Sequence, residues 1–388
     1  MASDTVQGAR SERRWPLLRW FISSGTLGVP QAAAPIAFSL VALGLTGDTS
    51  GGAAMVLAMT LAQVGGAIPI ARLGKRLPLA TFFRLLVAIR AVALASVALL
   101  AAYQAPFPWL VVLAAVAGLI NGAASGYLRA MLNHLVASSR LPRALGIAAT
   151  VNETTFVLAP VVASGLGAIS PAFAVLAIAA LGALPALLIP STGSAPIDGV
   201  RGVQGSILGP SILLWLTCAA AGGAAVAAIE IGAVALALNF GYQPTWAILF
   251  TVPLCLASVA GGIWVSVRNR MATRQAVVAQ LSIMTLGSAL AALDLSVATT
   301  IVGTVLTGCV LAPLATYYSL ILDTLAPPQR RPEVFALLRT ANAVGVISAS
   351  AMLTVASLSV ALIVVTGLMI VATLTVAVAS ARRRGSPL

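Results

Sequence analysis

The sequence predicts an all-α integral membrane protein with about twelve transmembrane helices and both termini on the cytoplasmic side. Of its 388 residues 60% are hydrophobic and only 8% are charged, whereas a soluble domain is about 25% charged. The apolar residues fall in runs long enough to cross about 30 Å of hydrocarbon. Lys and Arg are confined to every second connection between these runs, as in cytoplasmic loops.

Each of twelve apolar runs is long enough to form one transmembrane helix. The first run is longer than the apolar part of a signal peptide and lacks a convincing cleavage site, so it is predicted as a retained span. The predicted helices are Trp20–Leu43, Ala53–Ile70, Pro78–Ala102, Trp109–Leu132, Ala144–Ala168, Ala172–Ile189, Ile212–Leu238, Trp246–Val265, Ala276–Leu293, Ala298–Leu322, Val334–Ala356 and Leu358–Val378.

The basic residues and the tryptophans set the predicted orientation. Clusters of Arg or Lys occupy the N-terminal tail, alternate loops and the C-terminus, and the other loops contain none. Only an even number of spans with both ends cytoplasmic fits this asymmetry. Tryptophans are expected at the two membrane interfaces, with four near cytoplasmic ends and two near outer ends: Trp15, Trp20, Trp215 and Trp264, then Trp109 and Trp246.

A polar stretch rich in Gly, Ser and Pro divides the chain into two halves. We predict a six-helix bundle over residues 1–190, a cytoplasmic linker over 191–207 and a second six-helix bundle over 208–388. The halves echo each other, because Asn152 in the fifth helix and Asn342 in the eleventh lie at matching positions.

Glycines and a proline predict paired breaks in the first helix and the seventh. The positions are Gly25, Gly28 and Pro30, then Gly222 and Gly223. Matching breaks in the two halves of a transporter mark its binding site. The alternative is that these glycines only pack helices, since Gly is common in membrane helices.

Several other classes of protein are disfavoured. The net charge is +13, but the basic residues lie in loops without interleaved aromatics, so no nucleic-acid partner is expected. The cysteines form no CxxC pair and His134 stands alone, so no metal site is predicted. A nucleophile set and a GxxxxGK[ST] loop are both missing, which disfavours an enzyme and an ATP-driven pump.

The loop after the second predicted helix carries a recognisable motif. It reads Ala71-Arg72-Leu73-Gly74-Lys75-Arg76. This resembles the Asp-Arg-x-Gly-Arg-Arg/Lys signature of the major facilitator superfamily, with Arg72, Gly74, Lys75 and Arg76 matching and Ala71 in the acidic position. The resemblance covers the whole chain. It implies two six-helix bundles and transport by alternating access, with the loop latching one state through charge pairs.

The fifth predicted helix resembles that of the antiporters of the superfamily. Gly146 and Pro160 match the antiporter pattern, and Ala or Ser replaces its other glycines. Small residues there imply close helix packing. The position of the proton-coupling arginine of drug–proton antiporters is Gly118 here. The chain is therefore identified as similar to the efflux branch, without that arginine.

Three charged residues lie deep inside predicted helices, where a charge costs about 2.5–3.5 kcal/mol. Glu230 is either a substrate or proton site, because a carboxyl group in a low dielectric can exchange a proton at physiological pH, or a structural or water-exposed group. Glu153 is either a proton carrier or a static anchor that pairs with Arg90. Arg90 alone is expected to be structural. Arg84, Arg129 and Arg339 are expected to extend towards the cytoplasmic interface.

The resemblance also implies a central cavity lined by the first, fourth, seventh and tenth helices. Polar candidates for its lining are Gln31, Asn121, Tyr127, Tyr317 and Tyr318. Whether each of these faces a cavity or a neighbouring helix stays open.

The function expected from the sequence is secondary active export of a small solute, driven by the proton gradient and without a cofactor. The alternatives are an uptake symporter of the same fold and a non-transporting membrane scaffold or sensor. We expect a multi-pass monomer in a bacterial plasma membrane, with the lipid bilayer and a small-molecule substrate as its partners.

Overall fold

The computed structural model describes residues 2–47, 50–74, 77–189 and 209–382, and it confirms the all-α prediction. In these ranges twelve helices are long and apolar enough to cross a membrane. The helices are α1 Ala2–Thr46, α2 Ser50–Leu73, α3 Leu79–Ala102, α4 Phe107–Leu135, α5 Leu141–Ile169, α6 Pro171–Leu188, α7 Pro210–Asn239, α8 Ile248–Arg268, α9 Arg274–Leu293, α10 Val297–Leu325, α11 Arg331–Val355 and α12 Leu358–Arg382.

Local signals in the sequence explain where several of these helices begin and end. The side chains of Ser170 and Thr273 accept hydrogen bonds from the first turns of α6 and α9, and Ser296 and Thr299 form a capping box at the start of α10. Asn269 ends α8 in the left-handed conformation that terminates many helices. These caps satisfy backbone groups that the helix leaves unpaired.

Contacts divide the chain into two compact units. Unit 1 comprises Met1–Ser138, Val151–Gly205 and Pro328–Thr340, and unit 2 comprises Ser139–Thr150, Ser206–Pro327 and Ala341–Leu388. Helices α5 and α11 are each divided between the units, since their first turns belong to one unit and the remainder to the other. The predicted linker over 191–207 lies outside the described residues, and the predicted bundle boundaries stay predictions.

The two units share one packing pattern. In unit 1, α2 packs on α4, α1 packs on α6, and α3 packs on both α4 and α6. In unit 2, α8 packs on α10, α7 packs on α12, and α9 packs on both α10 and α12. The second half of the chain therefore repeats the arrangement of the first.

Glycine contacts show the same repeat at the level of single residues. A methyl group added to Gly118 on α4 would overlap the carbonyl oxygen of Met59 on α2, and one added to Gly308 on α10 would overlap that of Leu254 on α8. The residue numbers of equivalent positions differ by one constant between α2 and α8 and by another constant between α4 and α10. A second pair of contacts obeys the same two constants: Gly66 lies against the Leu119 carbonyl, and Gly261 lies against the Cys309 carbonyl.

The predicted breaks in the first and seventh helices are wrong, because α1 and α7 are continuous. Their glycines instead allow close contact with α5 and α11. A methyl group on Gly28 would lie at an ordinary contact distance of 3.7 Å from Oδ1 of Asn152, whereas one on Gly223 would lie only 2.7 Å from Oδ1 of Asn342. The matched glycines and asparagines of the sequence are thus packing partners within each half.

The six tryptophans differ in burial. Trp20 and Trp215 are buried, and Nε1 of Trp20 donates a hydrogen bond to the carbonyl of Leu128 at 2.8 Å. A buried indole N–H needs such an acceptor. The other four are exposed: Trp15, Trp109, Trp246 and Trp264.

Candidate functional site

Arg90 on α3 is a deeply buried charge of unit 1, only 2% exposed. Its guanidinium donates to Oδ1 of Asn121 at 2.6 Å and to the carbonyls of Leu27 at 2.9 Å and Gly182 at 3.4 Å. Three helices therefore hold this cation by uncharged oxygen atoms. Such bonds offset part of the cost of burying a charge.

Asn121 on α4 is the centre of a polar cluster. Its Nδ2 donates to Oε1 of Gln31 on α1 at 2.6 Å and to Oε1 of Gln63 on α2 at 2.8 Å. Asn121 and Gln63 are 6% and 1% exposed, and Gln31 is half-buried. The amide thereby connects three helices to the Arg90 guanidinium.

Arg339 on α11 joins this cluster. Its guanidinium donates to Oε1 of Gln31 at 3.1 Å, and its charge interacts with that of Glu153 on α5 and with that of Arg90. The prediction that Arg339 extends to the cytoplasmic interface is therefore wrong. The first segment of α11 belongs to unit 1, which places Arg339 among the polar side chains of that unit.

We call this set the polar cluster: Gln31, Gln63, Arg90, Asn121, Glu153 and Arg339. Four of its members were predicted as site residues. The structure connects Arg90 with Asn121 by a hydrogen bond, and the charge of Glu153 attracts that of Arg339.

Unit 2 has no matching cluster at the repeat-equivalent positions. The offsets fixed by the glycine contacts align four of the cluster residues with Val226, Ser258, Leu311 and Ala343, in place of Gln31, Gln63, Asn121 and Glu153. The same helix packing is thus built with one hydroxyl and three apolar side chains. The fold itself therefore does not require amide or carboxylate side chains at these four positions.

Metal binding has no support in the described part of the chain, since no group of three or more His, Cys, Asp or Glu side chains could hold an ion there.

The comparison with protein families decides what kind of protein this is. The model of the Major Facilitator Superfamily matches residues 20–350. The chain belongs to the major facilitator superfamily. It is therefore a membrane transporter of that type and not an enzyme. A comparison with curated proteins gives no match.

Solved structures of other superfamily transporters share this fold. A bacterial homologue of the iron transporter ferroportin is 15% identical, with a TM-score of 0.78 over 95% of this chain and 99% of that one. The human organic anion transporter MFSD10 is 13% identical, with a TM-score of 0.74 over 94% and 99%. The fucose:proton symporter of E. coli is 13% identical, with a TM-score of 0.70 over 95% and 98%.

The superfamily loop motif contributes one ion pair at the end of α2. Nε of Arg72 donates to Oε2 of Glu333 on α11 at 3.2 Å, and the glutamate is 1% exposed. Gly74 leaves no room for a side chain beside Phe82 and the Tyr127 hydroxyl. Lys75 and Arg76 lie outside the described residues.

Tyr127 has a structural position. It is 2% exposed, its hydroxyl donates to the Ala71 carbonyl at 2.9 Å, and its ring lies 5.0 Å from that of Phe82. Two turns of α4 separate it from Asn121, so it supports the loop after α2 and does not contact the polar cluster through these bonds.

Gly146 and Pro160 of the antiporter-like pattern lie on α5. A methyl group at Gly146 would lie 2.7 Å from the backbone nitrogen of Ser266 and 2.9 Å from the Gly262 carbonyl. Gly146 therefore allows α5 and α8 to touch along their backbones within unit 2. Pro160 lies within α5, farther along the helix.

Tyr317 and Tyr318 form an aromatic group in unit 2. Both are buried and pack on Trp215, with ring centroids 5.1 Å and 6.1 Å from the indole. The Tyr318 hydroxyl is buried without a hydrogen-bond partner. Glu230 lies on α7 and is exposed.

A separate acidic group lies just beyond the end of α9. Asn239 donates a hydrogen bond to Asp294, and the second carboxylate oxygen of Asp294 is buried without a partner. Partial burial raises the pKa of Asp294 above 3.8, and the bond from Asn239 acts in the opposite direction. The structure places this carboxyl group beside Asn239 of α7.

Sequence reasoning missed Gln63 and misplaced Arg339. Gln63 could have been found, since it is a lone amide inside the apolar run of α2. Arg339 could not, because its depth depends on which turn of α11 packs into unit 1.

Proposed function

We propose that the protein is a proton-coupled secondary transporter of a small solute that works by alternating access and exports its substrate from a bacterial cell. The observation that carries the proposal is the polar cluster, in which Arg339 donates a hydrogen bond to Gln31 and lies near enough to Glu153 for their charges to attract. Ionisable side chains inside transmembrane helices mark substrate pathways and proton relays.

The helices that carry the charges support a coupling role. Glu153 belongs to α5 and Arg339 to α11, and these are the two helices divided between the units. When Glu153 takes up a proton, its attraction to Arg339 is lost, so the proton changes the free energy of an arrangement that involves both divided helices. A proton can therefore bias one state of the transport cycle.

Export is supported by the antiporter-like pattern at Gly146 and Pro160. Uptake by proton symport is the second candidate. The excess of positive charge in the polar cluster favours it, because the cluster contains two guanidinium groups and one carboxylate. A multi-pass monomer in the plasma membrane is proposed in either case. A scaffold or sensor would not need a charged cluster in one half of the fold.

Transport in everted vesicles tests the proposal. Vesicles from cells that express the protein are acidified inside, and a fluorescent pH probe reports proton movement when solutes identified by a deletion-strain growth screen are added. We expect solute-dependent proton flux that Glu153→Gln abolishes. Asp294→Asn, which alters a carboxyl group outside the spans, is the control and should leave the flux intact.

The sign of the flux separates the two candidates. Proton release from the acidified lumen with solute accumulation indicates antiport, which is export in the cell. Proton movement in the same direction as the solute indicates symport. Uphill transport that persists in both Glu153→Gln and Glu230→Gln would remove the proposed proton sites, and the absence of any solute-dependent flux would favour a scaffold or sensor.

A further inference from the structure

The polar cluster contains more hydrogen-bond donors than acceptors. Both N–H groups of the Asn121 amide are used on Gln31 and Gln63. Oε1 of Gln31 accepts from both Asn121 and Arg339, so its Nε2 is left for another partner. Nε2 of Gln63 is buried and has no partner. The amide oxygen atoms of Asn121, Gln31 and Gln63 each accept a hydrogen bond already, so a further acceptor is missing beside the amide nitrogens of Gln31 and Gln63.

The charges of the cluster point to the same missing group. Arg90 and Arg339 carry two positive charges, and Glu153 carries one negative charge. The hydrogen bonds of Arg90 end on neutral oxygen atoms. One uncompensated cation in a low-dielectric region is costly, and a bound anion would neutralise it.

From these two observations we propose that the substrate is a monovalent organic anion, a carboxylate, bound by the guanidinium of Arg339 and the amide nitrogen of Gln31. This proposal rests on the proposed transport function and names its substrate class. The two residues are half-buried, whereas Arg90, Asn121 and Gln63 are nearly inaccessible. A planar guanidinium matches a carboxylate through two parallel hydrogen bonds.

The charge of the substrate follows from the count of groups. With Glu153 ionised the three charged side chains sum to one positive charge, which one carboxylate balances. A phosphate dianion would leave an excess negative charge, and an amine would add to the cationic excess. Both proposed ligand groups, Gln31 and Arg339, belong to unit 1.

Proton coupling follows from the competition between two carboxylates for Arg339. Glu153 on α5 and the substrate both attract this guanidinium, and Arg90 on α3 repels it. The other elements at the cluster contribute the uncharged Gln31, Asn121 and Gln63. Protonation of Glu153 releases Arg339 for the substrate, so anion binding strengthens as pH falls. Proton and anion then move together, which is symport and supports the second candidate function, uptake driven by the inward proton gradient.

Thermal unfolding of the purified full chain in detergent tests the substrate class. The probes are short aliphatic, hydroxylated and aromatic monocarboxylates at constant ionic strength, each beside its neutral amide. We expect at least one acid to stabilise the protein saturably while its amide does not. Arg339→Gln should weaken that binding about 10-fold to 100-fold, with Arg339→Lys intermediate. Arg268→Gln, at an exposed arginine over Trp264, should bind as the parent does.

A second variant keeps the test independent of the ligand. Gln31→Glu supplies a carboxylate beside Arg339, so it should raise the unfolding temperature of the ligand-free protein and abolish stabilisation by the acid. In the parent protein the affinity should rise by up to about tenfold per unit fall in pH, and Glu153→Gln should remove this dependence.

Three results would overturn the proposal. They are stabilisation by neutral or cationic solutes alone, no stabilisation by any acid of the panel, and a Gln31→Glu variant that is less stable yet still binds the acid. Proton-coupled flux of a neutral or cationic solute would refute the anion site and leave the transport function standing. Binding of the acid without any proton flux would refute the proton-coupled transport function and leave the anion site standing.

Discussion

Replacing Asn121 by leucine should remove the centre of the polar cluster while keeping a side chain of similar volume. The fold accepts leucine at the equivalent place, since Leu311 occupies the repeat position on α10. The change breaks the bond from Arg90 at 2.6 Å and the bonds to Gln31 and Gln63 at 2.6 Å and 2.8 Å. A bond to a charged group contributes about 1.5–3 kcal/mol and each neutral one about 0.5–1.5, so we expect a loss of about 2.5–6 kcal/mol.

The free energy of unfolding, measured by SDS titration in mixed micelles, checks this estimate. Asn133→Leu is a matched control, because Asn133 also accepts a hydrogen bond from an arginine, Arg129, at 2.8 Å on the same helix, but at its less buried end. It should cost less than about 1 kcal/mol. Asn121→Asp should fall between the two, because the new carboxylate pairs with Arg90 but cannot donate to the two glutamines.

Equal losses in Asn121→Leu and Asn133→Leu would refute the reasoning, since burial and connectivity would then have no effect on the energy of the bond. A loss in Asn121→Asp as large as that in Asn121→Leu would show that the amide donors, and not the bond from Arg90, stabilise the cluster.

Three further outcomes are expected from thermal unfolding of single variants. Gly118→Ala should destabilise by about 1–3 kcal/mol because its methyl group overlaps a carbonyl oxygen of α2, whereas Gly65→Ala, with no heavy atom within 4 Å of the new methyl, should gain about 0.5–1 kcal/mol. Arg72→Gln should lower the free energy of unfolding by about 1–3 kcal/mol, since it removes the charge partner of Glu333, which is 1% exposed. Glu333→Gln should lower it less, and the reverse order would contradict this. Because burial raises the pKa of Asp294 above 3.8, stability should fall as pH rises through that raised pKa, and Asp294→Asn should remove the fall.

The fold was predictable because lipid imposes one rule on every span. Apolar length and the alternation of basic loops placed all twelve helices, and a membrane forces each backbone group to bond within its own helix. The paired glycines were interpreted as helix breaks because the sequence does not show which helices are neighbours. Sequence shows that Gly25 or Gly223 lacks a side chain, but only the structure shows that a neighbouring helix fills that space.

The site was only partly predictable, because depth along a helix does not determine what a side chain meets. Asn121, Gln31, Arg90 and Glu153 were found as polar residues in apolar runs, and the structure connects them. Arg339 was assigned to the interface since it lies within a few turns of the start of α11. Its true neighbours depend on packing between segments far apart in sequence, which no local pattern encodes.

The repeated packing of the two units has a consequence for engineering. The helix contacts at Gly118 and Gly308 are steric equivalents, so the backbone of unit 2 has the same arrangement as the backbone that carries the amides in unit 1. The equivalent side chains in unit 2 are Val226, Ser258 and Leu311. Introducing the two glutamines and the asparagine together at these positions would create a second amide cluster. Any single substitution would leave one amide group buried without a hydrogen-bond partner.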